Sequence, residues 1–143
     1  MKKILSFIVI AALAYGYFQY QEMAVLGPSS SMAAEIALQN AYTNRQSDIQ
    51  VKGGGKVTKL LSDDLDGSRH QRFILMLGSG ETLLVSHNID LAPRINSLKV
   101  GDVVEFYGEY EWNSKGGVIH WTHHDSNGHH EGGWIKHQGK TYQ

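Results

Sequence analysis

The residues best equipped for chemistry crowd into one short stretch. All 8 histidines of the 143-residue chain lie at or beyond His70, and five of them fall between His120 and His130. The densest run is His120-Trp121-Thr122-His123-His124-Asp125, followed by His129 and His130. Neutral imidazole is the commonest protein ligand for zinc, copper, nickel and iron, and a nearby carboxylate completes or orients such a site. With no cysteine in the chain, any metal must take nitrogen and oxygen ligands, and no cysteine nucleophile exists. The expected ligands of a divalent metal such as zinc are therefore His120, His123, His124 and Asp125, with His70 or His87 joining them.

Spacing constrains that site. In an extended strand His120 and His124 share a face but stand about 13 Å apart at ~3.3 Å per residue, too far to hold one ion. The chain must turn after Trp121, which Asp125-Ser126-Asn127-Gly128 favours. His70 and His87 sit at strand ends, and at a barrel rim such ends converge from distant segments. Asp90, Glu105, Glu109 and Glu111 are the carboxylates within reach of such a rim. The competing reading has the histidines hydrogen-bonding backbone in an irregular, aromatic-packed tail. Trp112, Trp121 and Trp134 share the same final third, and such aromatics stack bases or sugars in some barrels but more often fill a small core.

Other chemical motifs are weak. Ser62 to Phe73 imitates a calcium loop but has serine first and phenylalanine where a bidentate glutamate is required. Lys52-Gly53-Gly54-Gly55-Lys56 lacks the spacing of a phosphate loop and reads as a strand bend.

The elements that position the histidines are short strands. From Asp48 onward, β-rich runs alternate with turn residues: Ile49 to Leu61, Gln71 to Leu77, Glu81 to His87, Asp102 to Trp112 and Val118 to Thr122. The expected fold is mainly β, a small five-stranded OB-like barrel over residues 48–143 with a His/Trp-rich C-terminal tail. Residues 22–47 read as a linker broken at Gly27-Pro28 and carrying a short helix from Met32 to about Thr43, with Ile36, Leu38 and Ala41 as its apolar stripe.

Met1-Lys2-Lys3 and the apolar run from Ile4 to Ala14 form an export signal or signal anchor over residues 1–21. Its flanking charge places the rest of the chain outside the cytoplasm, anchored in the inner membrane and facing the periplasm, or exported if the signal is cleaved. Beyond Lys2 and Lys3 the chain carries 11 basic against 14 acidic side chains, a balance that argues against nucleic-acid binding. The expected partners are the membrane, through the N-terminal helix, and a small ligand or envelope protein.

Four strings make the chain recognisable: HNIDLAPRI from His87, GEYEWN from Gly108, GGVIHWTHHD from Gly116, and the terminal GWIKHQGKTYQ. Together they resemble a bacterial family, domain of unknown function 3465, over roughly Ile49 to Gln143. The resemblance implies a short exported or membrane-anchored protein and supplies no activity. Three functions stay open: a binding domain, with or without a histidine-bound metal; a metal-dependent hydrolase of an envelope substrate or phosphodiester; and a structural or protein-interaction domain.

Overall fold

The computed structural model describes residues 28–143, so the expected anchor over 1–21 lies outside the described residues. The folded domain is one compact unit, Ala34–Gln143. No helix among the described residues is long and apolar enough to cross a membrane.

Helix α1 runs Pro28–Thr43. The expected break at Pro28 is instead the helix start, because proline at the first turn lacks only an N–H that has no intrahelical partner there. Its buried stripe is Ala34, Leu38 and Ala41, spaced i, i+4, i+7, while Ile36 faces solvent at 52% exposure. The expected stripe was thus misplaced at one position, since Ile36 is two residues from Leu38 and falls on the opposite side of a 3.6-residue turn.

Strands follow as β1 (Ile49–Leu60), β2 (His70–Met76), β3 (Thr82–Asn88), β4 (Val103–Glu111) and β5 (Val118–His120). They close into a five-stranded barrel in the order β1-β2-β3-β5-β4, with β4 returning to pair with β1. Only β3 and β5 run parallel. Burial alternates along β2 through β4, as a one-sided strand requires, and Phe73, Val85, Val104, Phe106 and Ile119 fill the interior at 0% exposure. β1 serves two neighbours, pairing with β4 up to Lys56 and with β2 from Lys56 onward. The triple glycine lies in that crossing and does not interrupt the strand. A side chain at Gly53 would come within 2.8 Å of the Phe106 ring, and one at Gly55 within 2.5 Å of the Met76 carbonyl.

The C-terminal tail ends in a hairpin. β6 (Trp134–His137) and β7 (Lys140–Tyr142) form a hairpin turned by Gln138 and Gly139, both at positive φ as a two-residue turn of this kind demands. β6 pairs with Val104–Tyr107 of β4, on the same edge where β5 pairs with Glu109–Glu111. β5 and β6 thus share one lane of the barrel, and residues between them leave it as a compact Ω-type loop. The loop's neck is pinched: Gly133 lies against the carbonyls of Trp121 and Tyr107, and Gly108 against Thr122 and Ile119.

Gly133→Ala and Gly108→Ala are each expected to destabilise the domain by about 1–3 kcal/mol, since the added carbon meets backbone or packed side chains with no room to yield. Gly132→Ala, whose new carbon meets its neighbours at 3.5 Å or more, should stay within about 0.5 kcal/mol of wild type. Urea unfolding of the three variants checks the contrast.

Candidate functional site

The loop between β5 and β6 begins with a strained residue. Trp121 has φ +53°, a region that bulky side chains rarely adopt, and this turns the chain out of the barrel lane directly after His120. The indole then lies flat on the His130 imidazole, 3.9 Å between centroids at 9°, with His123 tilted beside it at 5.1 Å. Asp125 organises the loop by accepting hydrogen bonds from the backbone N–H groups of Asn127, His129 and His130 at 3.0, 2.7 and 2.8 Å. These donors hold its carboxyl below the usual carboxylate range. Gly133 N–H closes the neck on the His123 carbonyl at 2.9 Å.

Two glutamates of β4 face the loop. Glu109 and Glu111 share a face two residues apart, and His120 is the cross-strand partner of Glu109. The Nε2 of His120 lies 3.3 Å from Glu109 Oε1 and 3.3 Å from Glu111 Oε2, yet makes no hydrogen bond. His130 Nε2 meets the other oxygen of Glu109. Its Nδ1 donates to the Glu131 carbonyl at 2.7 Å. Burial disfavours a charge on His130, but the Glu109 carboxylate and the Glu131 carbonyl outweigh it and raise its pKa. Glu131 in turn accepts from the Tyr107 hydroxyl, which is held above its ordinary range.

On the outer face of β2, β3 and β5 a cavity of about 230 Å³ opens beside His120. Its polar wall is His70, His120 and His123 with Ser68, Ser86 and Asn88, and its apolar wall is Leu91 and Trp121. His70 Nδ1 donates to the Ser68 carbonyl and His123 Nδ1 to the His124 carbonyl, each at 2.7 Å. A carbonyl can only accept, so both nitrogens carry hydrogen and, in the neutral rings, Nε2 keeps its lone pair.

The six expected ligands separate. His70, His120 and His123 gather around the cavity. His87 lies beneath, fully buried, donating from Nε2 to the Pro93 carbonyl at 3.1 Å and accepting at Nδ1 from the Thr122 hydroxyl at 2.8 Å. Both its nitrogens are used, and burial pushes its pKa down to about 4. Asp125 is committed to backbone, and His124 is exposed. Among the described residues no three histidine or carboxylate groups stand, as placed, around one point suited to a metal ion. Of the suggested carboxylate partners, Glu109 and Glu111 reach a histidine, whereas Asp90 pairs with Arg69 at 2.6 Å. Glu131 and Tyr107 belong to the network although spacing alone did not single them out, and so does His130, which the dense histidine run includes but the expected ligand set does not. Trp112 is covered by Tyr42 and Arg45, and Trp134 by Tyr107, Lys52 and Lys136.

Fold and site together define a small closed β-barrel with a histidine-bearing loop folded back on its wall. The family model described as a protein of unknown function, DUF3465, matches residues 22–143, and the chain belongs to that family. The match begins ahead of the barrel and includes helix α1. No curated protein matches the chain.

His87 gives stability a pH signature. Folded, it takes a proton only near pH 4, against roughly 6.5 when unfolded, so the unfolded chain binds more protons in that window and stability falls as pH drops. His130, with its raised pKa, acts in the opposite sense, so the contribution is read as a difference. Wild type should lose about 2 kcal/mol more than His87→Gln between pH 7 and pH 5. Urea unfolding at each pH, with the His87 ring resonance followed by NMR, checks this.

Proposed function

We propose that this chain is a membrane-anchored domain of the cell envelope, an OB-like barrel on the outer side of the inner membrane, that binds a small neutral polyhydroxylated ligand the size of one sugar ring. The observation that carries the ligand class is the cavity beside His120. No Lys, Arg, Asp or Glu lines it, which suits an uncharged occupant. At about 230 Å³ it is smaller than the roughly 300–1,000 Å³ of drug-sized sites, which suits a single ring. His70, His123, Ser68, Ser86 and Asn88 supply hydrogen-bonding side chains, and Leu91 and Trp121 an apolar wall for C–H faces.

The OB-like assignment rests on strand order, with β1 shared between β2 and β4 and β3 parallel to β5. The location rests on Lys2, Lys3 and the apolar run after them. Protease added to spheroplasts should digest the domain while the membrane is intact; protection until the membrane is lysed would refute the location.

For the ligand, the full chain in a zwitterionic detergent is titrated with glucose and N-acetylglucosamine by saturation-transfer NMR. Saturable binding with a Kd of order 1 mM is expected, and Ser86→Leu, which fills the cavity from a half-exposed strand position, should abolish it without lowering the melting temperature. No saturation, or an equal response from Ser86→Leu, sinks the reading in favour of a structural or interaction domain.

A further inference from the structure

A cavity of about 350 Å³, larger than the one beside His120 and sharing no residue with it, lies between helix α1 and the barrel. The helix is fixed there at two points. Glu35 Oε1 accepts from the Gly78 N–H at 3.0 Å, and the Tyr42 hydroxyl donates to the Ser114 carbonyl at 3.3 Å. Between these ties α1 bridges the β2–β3 hairpin and the β4–β5 turn, and the cavity is the space left beneath it. Its floor is apolar and buried: Leu38, Leu77, Leu83 and Tyr110. The Tyr110 hydroxyl is already used, donating to the Gly116 carbonyl at 3.2 Å.

The lining carries one charge of each sign, half-buried Glu81 and exposed Lys115. Sheet register makes them neighbours. β3 and β5 run parallel with Leu84 opposite Val118, and Leu84 N–H continues the ladder to the Gly117 carbonyl at 3.1 Å. Carried back along the chain, that register sets Glu81 beside Lys115. Gly116 accordingly lies so close to the Thr82 carbonyl that a side chain there would come within 2.1 Å of it. Yet among the described residues neither Glu81 nor Lys115 forms an ion pair, with the other or with any third group. Glu81 Oε2 meets the Ser79 hydroxyl at 3.4 Å, beyond the length of a good hydrogen bond. Its carboxylate is near enough to Tyr110 to add to the rise that burial and Tyr42 impose on the phenol pKa.

We propose that this cavity binds a free α-amino acid with an apolar side chain of about leucine size, its ammonium on Glu81, its carboxylate on Lys115 and its side chain on the apolar floor. An α-amino acid carries both charges on one carbon, so a site must offer the opposite charges side by side. Positions on adjacent strands, roughly 4.8 Å apart, do that. The two protein charges sum to zero and so do those of the ligand; a purely cationic or anionic molecule would leave one of them unanswered. Each contact is a charge-assisted hydrogen bond, the stronger kind. The volume lies at the small end of the roughly 300–1,000 Å³ of ligand sites, which suits a single amino acid. Leu38, Leu77 and Leu83 then remove the ligand's side chain from water, which supplies the driving force that two partly solvated ion pairs lack.

The test titrates the full chain, in a polyoxyethylene detergent, with L-leucine and follows the backbone amides by NMR. Saturable one-to-one binding is expected, with shifts at Tyr42, Leu83 and Gly116. N-acetyl-leucine, which lacks the ammonium, leucinamide, which lacks the carboxylate, and glycine, which lacks the side chain, should each bind about tenfold more weakly or worse. Glu81→Gln should weaken leucine by a similar factor and leave N-acetyl-leucine unchanged, and Lys115→Gln should do the same for leucine against leucinamide. Should either variant fail to fold, the ligand series on the wild type decides. No saturation by leucine, isoleucine or phenylalanine, N-acetyl-leucine binding as tightly as leucine, or shifts confined to the surroundings of Ser86 would overturn the site.

Discussion

Strand β4 has two edges, and the need to pair both of them organises the domain. One edge is taken along its length by β1, which closes the barrel. The other is covered by β5 only from Glu109 to Glu111, so Val104–Tyr107 would be left with open backbone donors and acceptors in a sheet whose interior residues are fully buried. β6 completes that edge. Because β5 and β6 abut in one lane, the residues between them have nowhere to go but out. Left-handed Trp121, the pinched glycines 108 and 133, and the compact loop are all consequences of that one pairing.

Expelling the loop concentrates its histidines without letting them scatter. Thr122 remains inside, fully buried, and its hydroxyl donates to His87 from β3. Asp125 ties three backbone N–H groups at once, which fixes the return path and delivers His130 to Glu109 rather than to solvent. Imidazoles from β2, β5 and the loop then line one cavity, while the carboxylates of β4 lie on the other side of His120. A rigid wall thus carries two chemically different environments, one neutral and hydroxyl-rich and one anionic, separated by a single side chain. The tryptophans brace this arrangement by stacking on imidazole, tyrosine and cations of the chain itself, so their contribution is packing at the barrel wall.

Much of the barrel was legible because its strands are long enough to show their period. Phe73, Leu75 and Leu77 alternate with Arg72 and Ile74, and Val104 and Phe106 with Glu105 and Tyr107, and burial follows that alternation. Gly78-Ser79-Gly80 marked a hairpin that exists. β6 and β7, at four and three residues, are too short for periodicity to register, and only the Gln138-Gly139 pair between them carried a turn signal. Ile36 was read as core because helix phase cannot be fixed from three apolar residues when alanines fill the remaining positions.

The sequence by itself determined the chemistry on hand: imidazole and carboxylate without thiol, and strand-period apolar residues. Composition and local periodicity carry that information because they depend on neighbours within a few bonds. Only the tertiary structure decided which histidines meet which partners. Glu109 finds His130 across 21 residues, and His87 finds Thr122 across 35, through the pairing of β4 with two strands and the bonds of Asp125. Those choices are set by backbone hydrogen bonding between distant segments, whose register no local pattern in the chain encodes.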